Sequence, residues 1–241
     1  MFTAVIIPCY NEANRFPLNR YLSFLKLNHN VLLYFVNDGS TDQTLEILSK
    51  LKKKSLDKIQ IVSLTKNQGK AEAVRSGMLE AQRNKDIYCF AYLDADLSTS
   101  LEECLRLADR IDSQKELVFG SRIKKNDNNI RVKNSRFIIG RIIAAFISMM
   151  LKISVYDTQC GCKIFTLKWS KMVFKDPFLT SWLFDVEIFY RLINKFGRKS
   201  ILNKIEEVPL KEWINVDDSK VSLSYGFKVW FDILKIYRYY D

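Results

Sequence analysis

The sequence predicts an α/β fold, a mainly parallel sheet flanked by helices, with amphipathic helices in the second half of the chain. Three observations predict it. Short apolar runs alternate with helical patterns from the N-terminus onward. The runs are apolar at nearly every position, as strands covered on both faces are. Each run also ends in a cluster of polar residues, at the edge where open α/β sheets bind ligands. The 241 residues, 48% of them apolar, suffice for one substantial domain and exclude a chain disordered throughout.

The first strand is read over Ala4–Ile7 and leads into Pro8-Cys9-Tyr10-Asn11-Glu12. The second, Val31–Val36, ends in Asn37-Asp38-Gly39-Ser40-Thr41-Asp42, and a helix is expected over Thr41–Lys50 with Ser40 or Thr41 at its start. A third strand, Ile59–Leu64, leads to Asn67-Gln68-Gly69-Lys70, from which a helix runs to Arg83. Tyr88–Leu93 is a fourth, closing on Asp94-Ala95-Asp96. A helix over Ser100–Ile111 follows, with Ser98 or Ser100 ahead of Glu102 and Glu103. Beyond it, Leu117–Gly120 reads as a strand and Arg122–Arg136 as a basic, Asn-rich mobile loop. Phe137–Leu151 reads as an amphipathic helix, Trp182–Phe196 as a helix, and Ile205–Leu210 as a late strand. The tail Tyr225–Tyr240 is helical and rich in aromatic residues. No repeat, low-complexity tract or linker divides the chain, so residues 1–241 are expected to form a single domain.

Composition removes several functions. A single histidine, His29, lies in a polar connector, which leaves no Ser-His-Asp machinery and no multi-histidine metal site. Five cysteines at 9, 89, 104, 160 and 162 make no disulfide framework, and a reducing cytoplasm is the simpler setting. No secretory signal is visible. The longest greasy stretch, Phe137–Leu151, is interrupted by Arg141 and falls short of the roughly 20 residues that span a bilayer. Against 27 acidic residues stand 38 Lys and Arg, a net charge of +11 that suits an anionic partner or a solubilising surface equally well.

The chemistry is read at the strand ends. Asp94-x-Asp96 places two hard oxygen ligands on one tight turn, a set that suits Mg²⁺ or Mn²⁺ bridging a diphosphate. By itself the tripeptide is weak, since many surface turns carry it. Its place after a buried strand, level with three other polar ends, gives it weight. Asp38 is an acceptor-only group suited to a base or ribose, or a cap for the next helix. Gly69-Lys70 opens a helix where amides, dipole and ammonium favour phosphate.

These residues resemble glycosyltransferase family 2, the inverting GT-A enzymes. The resemblance rests on Pro8-Cys9-Tyr10-Asn11-Glu12, Asn37–Asp42, Asn67–Lys70 with Ala73–Met78, and Asp94-Ala95-Asp96. Phe119–Arg122, Asp157–Phe165, Trp182–Glu187 and Ser219-Lys220 narrow it to the dolichyl-phosphate β-glucosyltransferases and related polyprenyl-phosphate glycosyltransferases. It runs over nearly the whole chain, and Asp157-Thr158-Gln159-Cys160-Gly161 is its most specific part. One departure is Cys162, where the family usually has an aromatic residue. Neither the N-terminal anchor of the family's eukaryotic members nor the C-terminal spans of many bacterial relatives is expected from this sequence.

The resemblance implies transfer of a hexose, glucose from UDP-glucose first, to a polyprenyl phosphate. Residues 1–120 would bind the nucleotide sugar and residues 121–241 the acceptor. Pro8, Tyr10, Glu12, Asp38, Ser40, Lys70 and Ala95 would line the donor pocket, with Lys220 on a closing loop. Asp94 and Asp96 would hold the metal, Asp96 taking part in catalysis. Arg122, Arg131 and Arg136 match basic positions near the acceptor phosphate. Asp185 is a candidate general base or sugar-hydroxyl ligand.

Basic residues interleaved with greasy ones from Arg131 to Lys152, and again in the tail, independently suit a helix lying in a membrane interface. Peripheral association with the cytoplasmic face is therefore expected. An ordinary core helix gives the same pattern. The other enzyme reading is a soluble family 2 transferase with a hydroxyl acceptor and Asp185 as base. A nucleotidyltransferase wants a Gly-rich N-terminal loop, which is missing. A nucleic-acid partner is not expected, because Asp38, Asp94 and Asp96 would repel its backbone.

Overall fold

The computed structural model describes residues 2–27, 30–131, 134–214 and 225–241, so His29 and Lys220 lie outside the described residues. Four parallel strands form the first half: β1 (Phe2–Cys9), β2 (Val31–Asp38), β3 (Ile59–Leu64) and β4 (Ile87–Leu93). All eight residues of β2 are buried, which is why its sequence is apolar without alternation. The connecting helices are α1 (Leu18–Leu27), α2 (Thr44–Lys54) and α3 (Lys70–Ala81), with α4 (Leu101–Ala108) after β4. The helix α1 was not expected from the sequence.

The second half adds β5 (Leu117–Ser121), β6 (Asn129–Arg131), α5 (Asn134–Leu151), β7 (Cys162–Thr166) and α6 (Leu167–Val173). It ends with α7 (Phe184–Phe196), α8 (Arg198–Lys204), β8 (Ile205–Pro209), β9 (Glu212–Ile214) and α9 (Tyr225–Tyr240). The main sheet has the order β3-β2-β1-β4-β7-β5-β8. The strand β7 runs antiparallel between β4 and β5, and β8 extends the sheet parallel to β5.

Period-two alternation divides the core. Ala4 and Ile6 point to one face, against α3 and the helices from α5 onward; Val5 and Ile7 point to the other, against α1, α2 and α4. Each fully buried Leu, Ile, Val or Phe contributes about 1.5–3 kcal/mol, and both faces carry many.

Two sequence expectations are corrected here. The segment 122–136 is not wholly a loop: β6 pairs in parallel with β9, and α5 begins within it. The helix α2 starts at Thr44 rather than Thr41, without a side-chain cap from its N-cap residue. Ser40 and Thr41 are diverted to β1's end, as described below. The expectation for Ser100 holds, its hydroxyl accepting from the Glu103 amide at 3.1 Å.

Candidate active site

Each of the four parallel strands ends in a turn containing one residue with positive φ: Asn11 (48°), Gly39 (61°), Gly69 (91°) and Leu97 (53°). Such backbone is uncommon outside glycine, and for Leu97 it stores strain of the kind concentrated at functional sites. The turns are cross-tied. Ser40 Oγ accepts from the Asn11 amide at 3.1 Å, and Asn11 Oδ1 accepts from the Thr41 amide at 2.8 Å. Glu12 and Ala13 donate their amides to Thr44 Oγ1 at 2.7 Å and Asp42 Oδ2 at 3.0 Å. Pro8 and Tyr10 stand half-buried at the same edge.

Asp38, buried at 2% exposure, accepts from the Gln68 amide at 2.7 Å and the Gly69 amide at 2.9 Å, one on each oxygen. This carboxylate therefore shapes the Gly69-Lys70 turn. Neither of the two roles read from the sequence, base ligand or helix cap, includes that bond. Glu12, also buried, pairs with Arg15 through two hydrogen bonds of 2.5 and 2.8 Å, and the carboxylate holds the guanidinium above its ordinary value.

The Asp94-Ala95-Asp96 turn sits at the centre of this edge. Lys70 Nζ lies 2.5 Å from Asp94 Oδ1. Burial opposes the ammonium charge, but Asp94, Asp185 and Asp96 outweigh it and raise Lys70 above its ordinary value. Asp96 Oδ1 accepts from the Ser98 amide at 2.9 Å and the Ser98 hydroxyl at 2.5 Å. The Tyr21 hydroxyl braces the turn from α1, donating to the Ala95 carbonyl at 3.0 Å. Among the described residues no group of three or more His, Cys, Asp or Glu converges. Two partly exposed carboxylates on one turn nonetheless fit Mg²⁺ or Mn²⁺, which take one or two carboxylates and complete their shell with phosphate and water.

The second half closes on this turn. A Cβ added at Gly161 would overlap the Asp94 carboxylate, so only glycine allows the 157–161 loop to pass so close. At the other end of that loop Asp157 receives Arg122: Nε at 2.7 Å, Nη2 at 2.9 Å and the Arg122 amide at 3.1 Å. Burial pushes the Asp157 carboxyl up, but Arg122 outweighs it and holds it below its ordinary value. The amides of Tyr156 and Asp157 are in turn held by Glu207 of β8 at 2.8 and 2.7 Å. Beneath the turn, Lys163 and the Tyr92 hydroxyl both donate to Asp185 Oδ1, and Lys163 also donates to the Cys160 carbonyl at 2.9 Å. Lys163 is fully buried and Asp185 4% exposed. Burial, then the Asp185 charge, push the Tyr92 phenol well up.

The structure thus gathers Pro8, Tyr10, Glu12, Asp38, Ser40, Lys70, Asp94, Ala95 and Asp96 along one sheet edge. Arg122 and Asp185 reach it from the second half. Arg131 lies in β6 and Arg136 in α5, but their side chains, like Lys220, are outside the described residues. Sequence reading missed the roles of Lys163, Gly161, Arg15 and Tyr21. For Lys163 a signal existed, a lysine inside the apolar run Cys162-Lys163-Ile164-Phe165, because buried lysines need a partner.

Comparison with known proteins decides the family. The family model described as "Glycosyl transferase family 2" matches residues 4–174. The chain belongs to glycosyltransferase family 2. This family 2 glycosyltransferase is 31% identical to the dolichyl-phosphate beta-glucosyltransferase of Dictyostelium discoideum, over 99% of the chain and 75% of the relative. It is 30% identical to the Saccharomyces cerevisiae protein of the same name, over 93% of the chain and 70% of the relative. Among solved structures, mannosyl-3-phosphoglycerate synthase from Rubrobacter xylanophilus superposes with a TM-score of 0.70 at 14% identity, covering 98% of the chain and 72% of that protein. Glucosyl-3-phosphoglycerate synthase from Mycobacterium tuberculosis, solved with Mn²⁺, UDP and product, gives 0.68 at 15% identity, covering 98% and 79%. These likenesses bear out the GT-A fold.

Proposed function

We propose that this glycosyltransferase moves glucose from UDP-glucose to a dolichyl-type polyprenyl phosphate, with inversion at the anomeric carbon. Residues 1–120 form the donor half and residues 121–241 the acceptor half. The observation that carries the reading is the 157–161 loop. One end holds the Arg122 fork and the other lies against Asp94, so an anion held by arginine would sit beside the turn suited to a diphosphate. Two relatives named dolichyl-phosphate beta-glucosyltransferase, aligned over nearly the whole chain, support the same acceptor.

Asp94 and Asp96 would hold Mg²⁺ or Mn²⁺ together with the donor diphosphate, and the ion would neutralise charge on the departing nucleotide. The chain's own residues do the rest. Lys70, at the N-terminus of α3, offers its ammonium to phosphate, the Gly69 and Ala71 amides there being held by Asp38 and the Ser181 carbonyl. Pro8, Tyr10, Glu12, Asp38, Ser40 and Ala95 form the donor pocket. Arg122 spends Nε and Nη2 on Asp157, and its Nη1 donates to no described residue, leaving it to orient the acceptor with Arg131 and Arg136. A phosphate oxygen of the acceptor attacks the anomeric carbon as the bond to the nucleoside diphosphate breaks. Such a monoester is already largely dianionic near pH 7, so no base need deprotonate it. Asp185, with Lys163 and Tyr92 on one oxygen, suits a fixed acceptor for a sugar hydroxyl better than a proton carrier.

Exposed side chains on α5 and α9 support membrane access. Ile142 and Met149 on α5 and Trp230, Phe231 and Leu234 on α9 are exposed, and Phe146 and Trp230 stack edge-on at 5.4 Å between the two helices. Lys228, Lys235 and Arg238 are exposed on the same α9. No described helix is long and apolar enough to cross a membrane. Apolar side chains flanked by cations suit the interface of an anionic leaflet, each cation adding about 1 kcal/mol, and we place the protein on the cytoplasmic face.

The test is radiolabelled transfer from UDP-glucose, UDP-GlcNAc and GDP-mannose to a short polyprenyl phosphate, with and without Mn²⁺. Lipid-linked glucose, lost on chelation and in Asp96→Ala, is the expected result. No lipid product from any donor would sink the acceptor. Undiminished product in Asp96→Ala would sink the metal site.

A further inference from the structure

A shallow, open groove of about 590 Å³ runs along the outer side of α5. After α5 the chain turns at Lys152, whose φ is +53°, and runs back along the helix. Ser148 Oγ holds that return segment, donating to the Ile153 carbonyl at 2.8 Å. Ala145 and Met149 form one wall, and buried Ile153 and Val155 form the floor. From Arg141 to Lys152 the groove follows eleven residues of helix, about 16 Å at 1.5 Å per residue.

Its two ends differ. At the groove's end nearer the start of α5, the guanidinium of mid-helix Arg141 lies 3.4 Å over the Tyr156 ring and donates to the Tyr156 carbonyl at 2.8 Å. The next residue is Asp157, the clamp of Arg122. A cation therefore stands at the end that leads to the candidate active site, over a floor of Ile153 and Val155, and exposed Lys152 and Ser154 mark the far end. A cation next to the candidate active site, with an apolar floor and the Ala145 and Met149 wall behind it, suits an anionic head on an apolar tail.

We propose that this groove seats the first isoprene units of the acceptor, aligning the chain so that its phosphate reaches Arg122. The inference rests on the lipid-phosphate reading given above. In a bilayer the tail is already in hydrocarbon, so the groove contributes alignment more than affinity. In water the same burial appears as affinity, each methylene being worth severalfold.

The test uses farnesyl phosphate and isopentenyl phosphate, below their aggregation concentrations, with binding to the full chain read by calorimetry. The wild-type protein is expected to bind farnesyl phosphate at least tenfold more tightly. In Ala145→Trp, which fills the groove from an exposed helix position, that preference should fall about tenfold. Met149→Asp, which places a carboxylate on the wall, should do the same if the tryptophan variant folds poorly. Equal wild-type affinity for the two ligands, or an unchanged preference in both variants, would overturn the groove. A wild-type preference that collapses in the variants, without glucose transfer from UDP-glucose to farnesyl phosphate, would keep the groove and break the proposed reaction instead.

Discussion

The four turns at the ends of β1 to β4 and the loop that closes on them from β7 hold their polar groups differently. In the turns, carboxylates and hydroxyls are held mostly by backbone amides: Asp38 by 68 and 69, Ser40 by 11, Asp96 by 98. Bonds of that kind come from backbone that must be satisfied anyway, and each oxygen keeps a further lone pair. On the β7 side, charges hold one another: Lys163 with Asp185, Arg122 with Asp157. The first arrangement makes a receptive edge. The second makes a rigid backing whose parts fail when one partner is removed.

The largest expected effect breaks the backing. Lys163→Met leaves Asp185 buried beside Tyr92 without its cation, and should cost about 3–5 kcal/mol in urea unfolding. The double variant Lys163→Met, Asp185→Leu replaces the pair with apolar volume and should recover most of that loss. Recovery of stability without recovery of transfer would show that the pair serves the reaction. A single variant as stable as the wild type would contradict a buried ion pair at this position.

Next comes the point where the two regions meet. Gly161→Ala pushes a methyl group into the Asp94 carboxylate. A displacement near 1 Å can cost a site on the order of a hundredfold in rate, and transfer should fall by about that factor. The melting temperature should move far less than in Lys163→Met, because the loop can yield where a buried charge cannot. Comparable losses of stability in both variants would mean that the loop belongs to the core rather than to the site.

The same contrast explains what could be read from sequence. The four strands and their polar ends were legible because each is a local pattern: an apolar run, then Asn, Asp, Gly or Ser. The strand β7 was not, because Lys163 breaks its apolar run and finds Asp185 22 residues later. The pair β6 and β9 is three residues long on each side and is defined only by a partner more than 80 residues away. The start of α2 was misplaced because Ser40 and Thr41, good caps locally, are taken by Asn11 about 30 residues earlier. At the candidate site, the residue types were visible. The bond from Asp38 to the Gly69 turn, and the approach of Gly161 to Asp94, depend on which turns lie side by side.

The smallest expected effect sharpens the comparison through pH. Arg122 holds the buried Asp157 carboxyl below its ordinary value of about 3.9. A group lowered on folding contributes stability that is complete above its unfolded value and is lost as pH falls through its folded value. In Arg122→Met the carboxyl keeps its burial without the cation, so its folded value moves upward and the contribution changes sign. The variant should therefore be less stable than the wild type by roughly 1.5–3 kcal/mol near pH 7, the range for hydrogen bonds to a charged group. That gap should narrow as pH falls through the variant's raised folded value, where its Asp157 takes up a proton first, and close only below the lowered folded value that Arg122 gives the wild type. Urea midpoints at a series of pH values give the curve directly. A gap that stays constant with pH would assign the Arg122 contribution to packing, including its guanidinium 5.5 Å over the Trp213 ring, rather than to the charge it shares with Asp157.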